Sequence, residues 1–154
     1  MKKAILTMGL PAAGKTTVIN NEYDITNYNL IDPDEIKQEK TDYDPKNPQK
    51  YHAWSKIEAE IRTLRAIQNG ENIIIDGTGT SAEKMYGKIQ RLQTEGYEVT
   101  LLYVKVTLKT ALARNAARER NVDETIILKK AQIITTSFEI LSTLADNVKI
   151  IKND

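Results

Sequence analysis

A three-layer α/β/α sandwich on a five-stranded parallel sheet is the fold class that three observations predict. Short, unbroken apolar runs recur along the chain, stretches with helical periodicity separate them, and the chemically distinctive residues fall directly after the runs. Strands without polar–apolar alternation are those covered on both faces, the condition of a parallel sheet. Their alternation with helices implies βαβ connections. Ligands of such sheets bind beyond the carboxyl ends of the strands, which is where Gly9, Asp32 and Asp76 would lie.

The first run is residues 4–8, closed by Gly9, with a helix opening near Gly14. Residues 29–31 make a shorter, weaker strand. Asp32 is placed to cap the next helix, with Pro33 in its first turn. Residues 42–48 combine Asp, Asn and Pro and read as an exposed loop. Ile57, Ile61, Leu64 and Ile67 repeat at helical spacing, and Gly70 closes that helix. Residues 72–75 form the third strand. A helix runs from Ser81 to near Gly96, a strand from 99 to 106, and a helix from 108 to 120. A last helix spans 123–144 with Asp123 as N-cap, before a buried strand at 148–151. No repeat or long linker divides the chain, so residues 1–154 read as one domain.

Composition narrows the function classes. A chain of 154 residues, 40% hydrophobic and 28% charged, supports a full core and fits neither a disordered nor a membrane protein. No apolar run is long enough for a bilayer. Met1-Lys2-Lys3 before an apolar stretch resembles a signal peptide, but the stretch is too short and lacks a cleavage site. Cysteine is absent, which excludes disulfides and thiolate chemistry and fits a cytoplasmic location. A net charge of +1 argues against tight binding to long duplexes. The basic residues are uneven: Lys105, Lys109, Arg114, Arg118, Arg120, Lys129 and Lys130 share one segment, a pattern that ordinarily marks a solvated helix face.

Gly9-Leu10-Pro11-Ala12-Ala13-Gly14-Lys15-Thr16 carries the chemistry. A Gly-x-x-x-x-Gly-Lys-Thr pattern between a strand and a helix is the setting that a phosphate-binding loop requires. The two glycines let the backbone of Gly9, Ala12, Ala13 and Gly14 turn its N–H groups inward around the phosphates of ATP. The helix N-terminus adds its positive dipole end. Lys15 would reach the β- and γ-phosphates, the Thr16 hydroxyl would ligate Mg²⁺, and Thr17 would bond an α-phosphate oxygen.

Asp76 ends a hydrophobic strand, a position that holds Mg²⁺ through a water or simply terminates a strand before Gly77. Thr78 and Thr80 project from the same rim and either bond a phosphate or acceptor, or stabilise the turn. Asp34 sits in the first turn after the second strand. A carboxylate there either accepts the proton of an attacking hydroxyl or complements the helix dipole. Arg114 and Arg118, four apart on a predicted helix, either stabilise a γ-phosphoryl group in transit or pair with local acids such as Glu119. His52 and Trp54 read as packing residues.

Five pieces resemble, in order, the zeta-toxin-like and phage polynucleotide-kinase-like P-loop kinases. They are the loop through Thr17, Asp32-Pro33-Asp34-Glu35-Ile36-Lys37, Ile75-Asp76-Gly77-Thr78, the strand at 101–106, and Arg114-Asn115-Ala116-Ala117-Arg118. The resemblance spans nearly the whole chain, although only the first piece is highly specific. It implies a P-loop kinase fold, Asp34 as the base and Lys37 as a clamp on the acceptor's phosphate. That clamp is usually arginine, and lysine lacks the planar fork. It also implies substrate contacts from Thr78 and Asp76, and a lid at about 114–123 carrying Arg114 and Arg118. The implied activity is transfer of the ATP γ-phosphate to a hydroxyl of a nucleic acid or nucleotide, as in polynucleotide 5′-hydroxyl kinases. Alternatives are a nucleotide-sugar kinase, a kinase of hydroxymethylated bases in phage DNA, and a non-catalytic ATP-binding regulator.

Overall fold

A computed structural model describes residues 1–119 and 121–154; Arg120 lies outside the described residues. The order of elements is β1 (Lys2–Met8), α1 (Lys15–Glu22), a 3₁₀ turn (Ile25–Asn27), β2 (Asn29–Ile31), α2 (Pro33–Lys37), α3 (His52–Gln68), β3 (Ile73–Ile75), α4 (Ala82–Thr94), β4 (Tyr97–Lys105), α5 (Leu108–Ala117), α6 (Glu124–Ser142) and β5 (Asn147–Lys152). All strand pairs are parallel, in the order β2-β3-β1-β4-β5. The chain first builds β2 and β3 on one side of β1, then crosses to β4 and β5 on the other. The carboxyl ends of β1 and β3 therefore border the crevice where the winding reverses, and the conserved logic of open α/β sheets puts ligands there.

Register sorts the core into two layers. Ala4, Leu6, Met8, Ile73, Ile75, Val99, Leu101 and Tyr103 face Met85, Ile89 and Leu92 of α4 and Ile127, Ile134 and Leu141 of α6. Ile5, Ile74, Leu102 and Val104 face the other way, onto Val18 and Ile19 of α1. The second outer layer is thus one eight-residue helix. Among the described residues no helix is long and apolar enough to cross a membrane.

Three sequence expectations need correction. The strand at 148–151 is not buried: Val148 is 41% and Ile150 50% exposed. β5 is an outer strand bonded only to β4, and α6, which leads into it, packs over β4. The helix expected over 108–120 ends at Ala117, and Arg118 is its extended C-cap (φ −86°, ψ 141°). Arg114 and Arg118 therefore do not share a helical face. In α3, Ile57, Ile61 and Leu64 face outward, while Ser55, Thr63 and Ala66 face the core. The inward hydroxyls are satisfied by α3's own backbone: Ser55 Oγ donates to the His52 carbonyl and Thr63 Oγ1 to the Ala59 carbonyl.

Candidate active site

The loop between β1 and α1 is built as the motif demands. Gly14 adopts φ +86°, and a Cβ there would lie 2.5 Å from Asn153 Nδ2, so neither its conformation nor its space admits a side chain. Ala12 also has positive φ (66°). Gly14 caps α1 without any side-chain bond, so the first N–H groups of the helix have neither an intrahelical partner nor a side-chain cap. The Gly9 N–H donates to the Thr78 carbonyl (3.0 Å), which ties the loop to the segment after β3. Thr16 and Thr17 are exposed. Lys15 Nζ donates to the carbonyls of Gly9 and Leu10, at 3.2 Å each, so the ammonium lies over the loop that carries it.

Two strand ends aim carboxylates at that ammonium. Burial pulls Lys15 below its usual pKa, while Asp76, Asp34 and Asp32 oppose the shift and Arg118 adds to it. Asp76 is buried and accepts a bond from Thr7 Oγ1 (2.8 Å). Its N–H donates to the Ile31 carbonyl (2.9 Å), which sets β3's end beside Asp32. Asp32 caps α2 through the Asp34 N–H (2.9 Å). Its carboxyl is pushed up to about 7, first by burial, then by Asp76 and Asp34. The sequence marked Asp32 only as a cap; its place in this acidic cluster depends on β2–β3 pairing, which no local pattern reveals.

Asp34 is exposed in the first turn of α2. Lys37, the expected clamp, points inward instead: it is 4% exposed, donates to the Pro48 carbonyl (2.9 Å) and lies 3.6 Å from Asp34 Oδ1. Its charge braces Asp34 and the 42–48 loop. Arg114 does not reach the crevice with an unengaged guanidinium. Nη1 donates to the Ala13 carbonyl (3.2 Å) and Nη2 to the Asn153 carbonyl (2.7 Å), so it braces the phosphate loop against the end of β5. Arg118 lines a cleft of about 280 Å³ with Gln38, Tyr43, Pro45 and Glu119, between the segment after α5 and the loop after α2. The Tyr43 hydroxyl there is buried without a partner among the described residues.

Lys130 of α6 was missed. Its Nζ donates to Thr78 Oγ1 (3.1 Å), and Thr78 lies 3.3 Å from Thr80 Oγ1. Ser137, two turns further on, donates to the Gly79 carbonyl (2.5 Å) and holds the same rim. The sequence placed Lys130 only within a basic segment, because its partner lies 52 residues away. Among the described residues no cluster of three or more His, Cys, Asp or Glu side chains is arranged to hold a metal ion unaided.

The structure resembles several solved proteins. A chain from the PezAT chromosomal toxin–antitoxin system of Streptococcus pneumoniae matches with TM-score 0.75 at 22% identity, over 100% of this chain and 70% of that one. The AvrRxo1-ORF1:ORF2 complex with ATP contributes a match at TM-score 0.76 and 14% identity, covering 99% of this chain and 55% of the other. The Pnkp1/Rnl/Hen1 RNA repair complex contributes one at TM-score 0.70 and 17% identity, covering 90% and 45%. The chain thus spans only part of each relative's length. No curated protein matches the sequence. The model of the AAA domain family matches residues 5–138, spanning the phosphate loop, both acidic strand ends and most of α6. With its parallel sheet and β1–α1 loop of P-loop kinase type, the chain belongs to the AAA domain family.

Proposed function

We propose that the chain is an ATP- and Mg²⁺-dependent kinase that transfers the γ-phosphate to a hydroxyl of a nucleic acid or nucleotide acceptor. One observation carries the reading: an exposed carboxylate, Asp34, stands in the first turn of α2, close enough to act on the charge of Lys15. A nucleotide switch needs the phosphate loop but has no use for a solvent-facing base across from it. The ATP-bound relative and the RNA repair relative support donor and acceptor class respectively.

In this reading the uncapped N–H groups of α1 and Lys15 hold the β- and γ-phosphates. The acceptor oxygen attacks the γ-phosphorus, the bond from phosphorus to the β-bridging oxygen breaks, and ADP leaves. The acceptor's proton passes to Asp34. Arg118 neutralises charge spread over the γ-oxygens. The oxygen donors of Thr16 and Asp76, which one Thr7 bond leaves with spare acceptor capacity, suit Mg²⁺ bound jointly with phosphates. When bound, Mg²⁺ supplies charge neutralisation at the β- and γ-oxygens.

The test is transfer of labelled γ-phosphate to a panel of 5′-hydroxyl oligonucleotides, nucleosides, nucleotide sugars and hydroxymethylated DNA. Label should appear on one class, and Asp34→Asn should reduce its rate about 10²–10⁴-fold while ATP still binds. Undiminished transfer by Asp34→Asn would remove Asp34 from the chemistry. ATP binding with no transfer to any acceptor would favour the regulatory binder.

A further inference from the structure

The peptide joining Ala13 to Gly14 is gripped from outside the phosphate loop. The Ala13 carbonyl accepts from Asn153 Nδ2 (2.8 Å) and from Arg114 Nη1 (3.2 Å). Asn153 is the first residue after β5 and is itself well anchored. Its N–H donates to the Lys105 carbonyl at the end of β4 (2.9 Å), and its carbonyl accepts from Arg114 Nη2 (2.7 Å). Beside it, Asp154 Oδ1 accepts from the N–H and the hydroxyl of Thr107, the N-cap of α5, at 2.8 and 2.9 Å. The amide that reaches Ala13 therefore stands on backbone held by both β4 and α5.

That grip sets the direction of one donor. Among the described residues no peptide bond is cis, so the Ala13 C=O and the Gly14 N–H point opposite ways across their shared plane. With the carbonyl tied to Asn153 and Arg114, the Gly14 N–H is aimed away from them, and it has no acceptor among the described residues. Gly14 cannot hold this orientation by itself. Its φ is +86°, but glycine takes either sign of φ about as readily, so rotating the peptide costs the chain little. The rotation would present a carbonyl oxygen where an anion nest needs an N–H. Glycine is nonetheless obligatory here, since a Cβ would lie 2.5 Å from Asn153 Nδ2. The same asparagine thus forbids a side chain at position 14 and supplies a bond that offsets the freedom of the glycine. We infer that Asn153 is a positioning residue of the phosphate loop: together with Arg114 it holds the Ala13 carbonyl so that the Gly14 N–H stays turned toward the nucleotide's phosphates. This rests on the reading of the β1–α1 loop as a phosphate cradle, and it extends the site to a residue 140 positions along the chain from Ala13.

Binding and the Gly14 amide signal test the inference without any phosphate transfer. Asn153→Ala removes the donor. Asn153→Asp keeps the shape but sets a carboxylate oxygen against the carbonyl. Asn147→Ala is the control, because Asn147 begins β5 at its far end, is exposed and makes no side-chain bond among the described residues. Inorganic tripolyphosphate and ADP, each with Mg²⁺, are titrated calorimetrically into wild type and variants, and thermal melting establishes that each is folded. Both Asn153 variants should bind both ligands about tenfold more weakly, and Asn147→Ala should bind as wild type does. Ala13-Gly14 is the one Ala-Gly pair in the chain, so labelling with ¹³C′-alanine and ¹⁵N-glycine singles out the Gly14 amide. At saturating ADP its proton should move downfield in wild type and move less in Asn153→Ala. Undiminished affinity in the Asn153 variants overturns the inference, as does an equal loss in Asn147→Ala. Weaker binding with the full Gly14 shift also overturns it, because Asn153 would then act on the ligand and not on the peptide. Failure of wild type to bind either ligand is a different result: it removes the phosphate-cradle reading, and the inference with it. Binding that depends on Asn153 in a protein that transfers no phosphate supports the inference and leaves the kinase reading to fail by itself.

Discussion

Asp32 is pulled in two directions. As the cap of α2 its carboxylate accepts N–H bonds that favour the ionised form, yet burial beside Asp76 and Asp34 dominates and raises it to about 7. An unfolded aspartate titrates near ~3.9. The metal-free folded state therefore binds this proton more tightly than the unfolded state, and stability falls as pH rises from about 4 to about 7. The ceiling is about 4 kcal/mol, and partial solvent access and the shared titration reduce the expected penalty to about 1–2 kcal/mol. Asparagine keeps the cap. In chelator, Asp32→Asn should melt higher than wild type at pH 8 and no higher at pH 4; equal differences at both values would refute the assignment. Gly79 makes the opposite point about space. Its φ is +70°, and a Cβ would sit 2.4 Å from Met8 Cβ, whereas Gly87 in α4 has nothing within 4 Å and no positive φ. Gly79→Ala should cost about 2–4 kcal/mol and Gly87→Ala should gain about 0.5–1 kcal/mol, readable as denaturant midpoints moving in opposite directions.

α5 shows what an element's sequence conceals. Helical residues continue past Ala117, yet the buried Asn115 amide donates to the Val122 carbonyl (2.8 Å) and accepts from its N–H (2.9 Å). That pair of bonds offers the backbone an alternative to another helical turn, so the chain leaves the helix at Arg118. Periodicity reads spacing along one element and is blind to a side chain that bonds seven residues ahead. The same blindness explains Lys130 and Lys37, whose hydrogen-bond acceptors lie outside their own helices, while the phosphate loop was legible because all its parts are contiguous. Asn115 is thus a positioning residue for Arg118. If the chain is the proposed kinase, Arg118→Ala should lower kcat about 10³-fold and, because the side chain is only partly buried where it lines the cleft, move Tm by no more than a few degrees. Asn115→Ala should lose about 2 kcal/mol of stability and lower kcat while leaving KM for ATP within about twofold, because the backbone cradle is untouched. A normal kcat in Asn115→Ala would mean that the segment carrying Arg118 is set by other contacts.

At the scale of the whole molecule, the sheet was legible because strands and helices alternate and the central runs are apolar throughout. What escaped was which surfaces end up covered. β5 and the Ile57–Ile61–Leu64 stripe have the composition of core elements, but coverage depends on neighbours, and the neighbours pack elsewhere. The site's own architecture ties distant parts together: Gly9 to Thr78, Arg114 to Ala13 and Asn153, and Ser137 to Gly79. A ligand held at the phosphate loop therefore acts on β1, β3, α5, α6 and β5 together, and its binding energy should appear as global stability. At a nucleotide concentration 100 times Kd the gain is about 2.7 kcal/mol. For a chain of this size that raises Tm by about 5–10 °C. Lys15→Ala should abolish most of the rise by weakening phosphate binding, and chelating Mg²⁺ should reduce it in the wild type. If Lys15→Ala shows the full rise with ATP, the nucleotide is stabilising the fold from somewhere other than the β1–α1 loop.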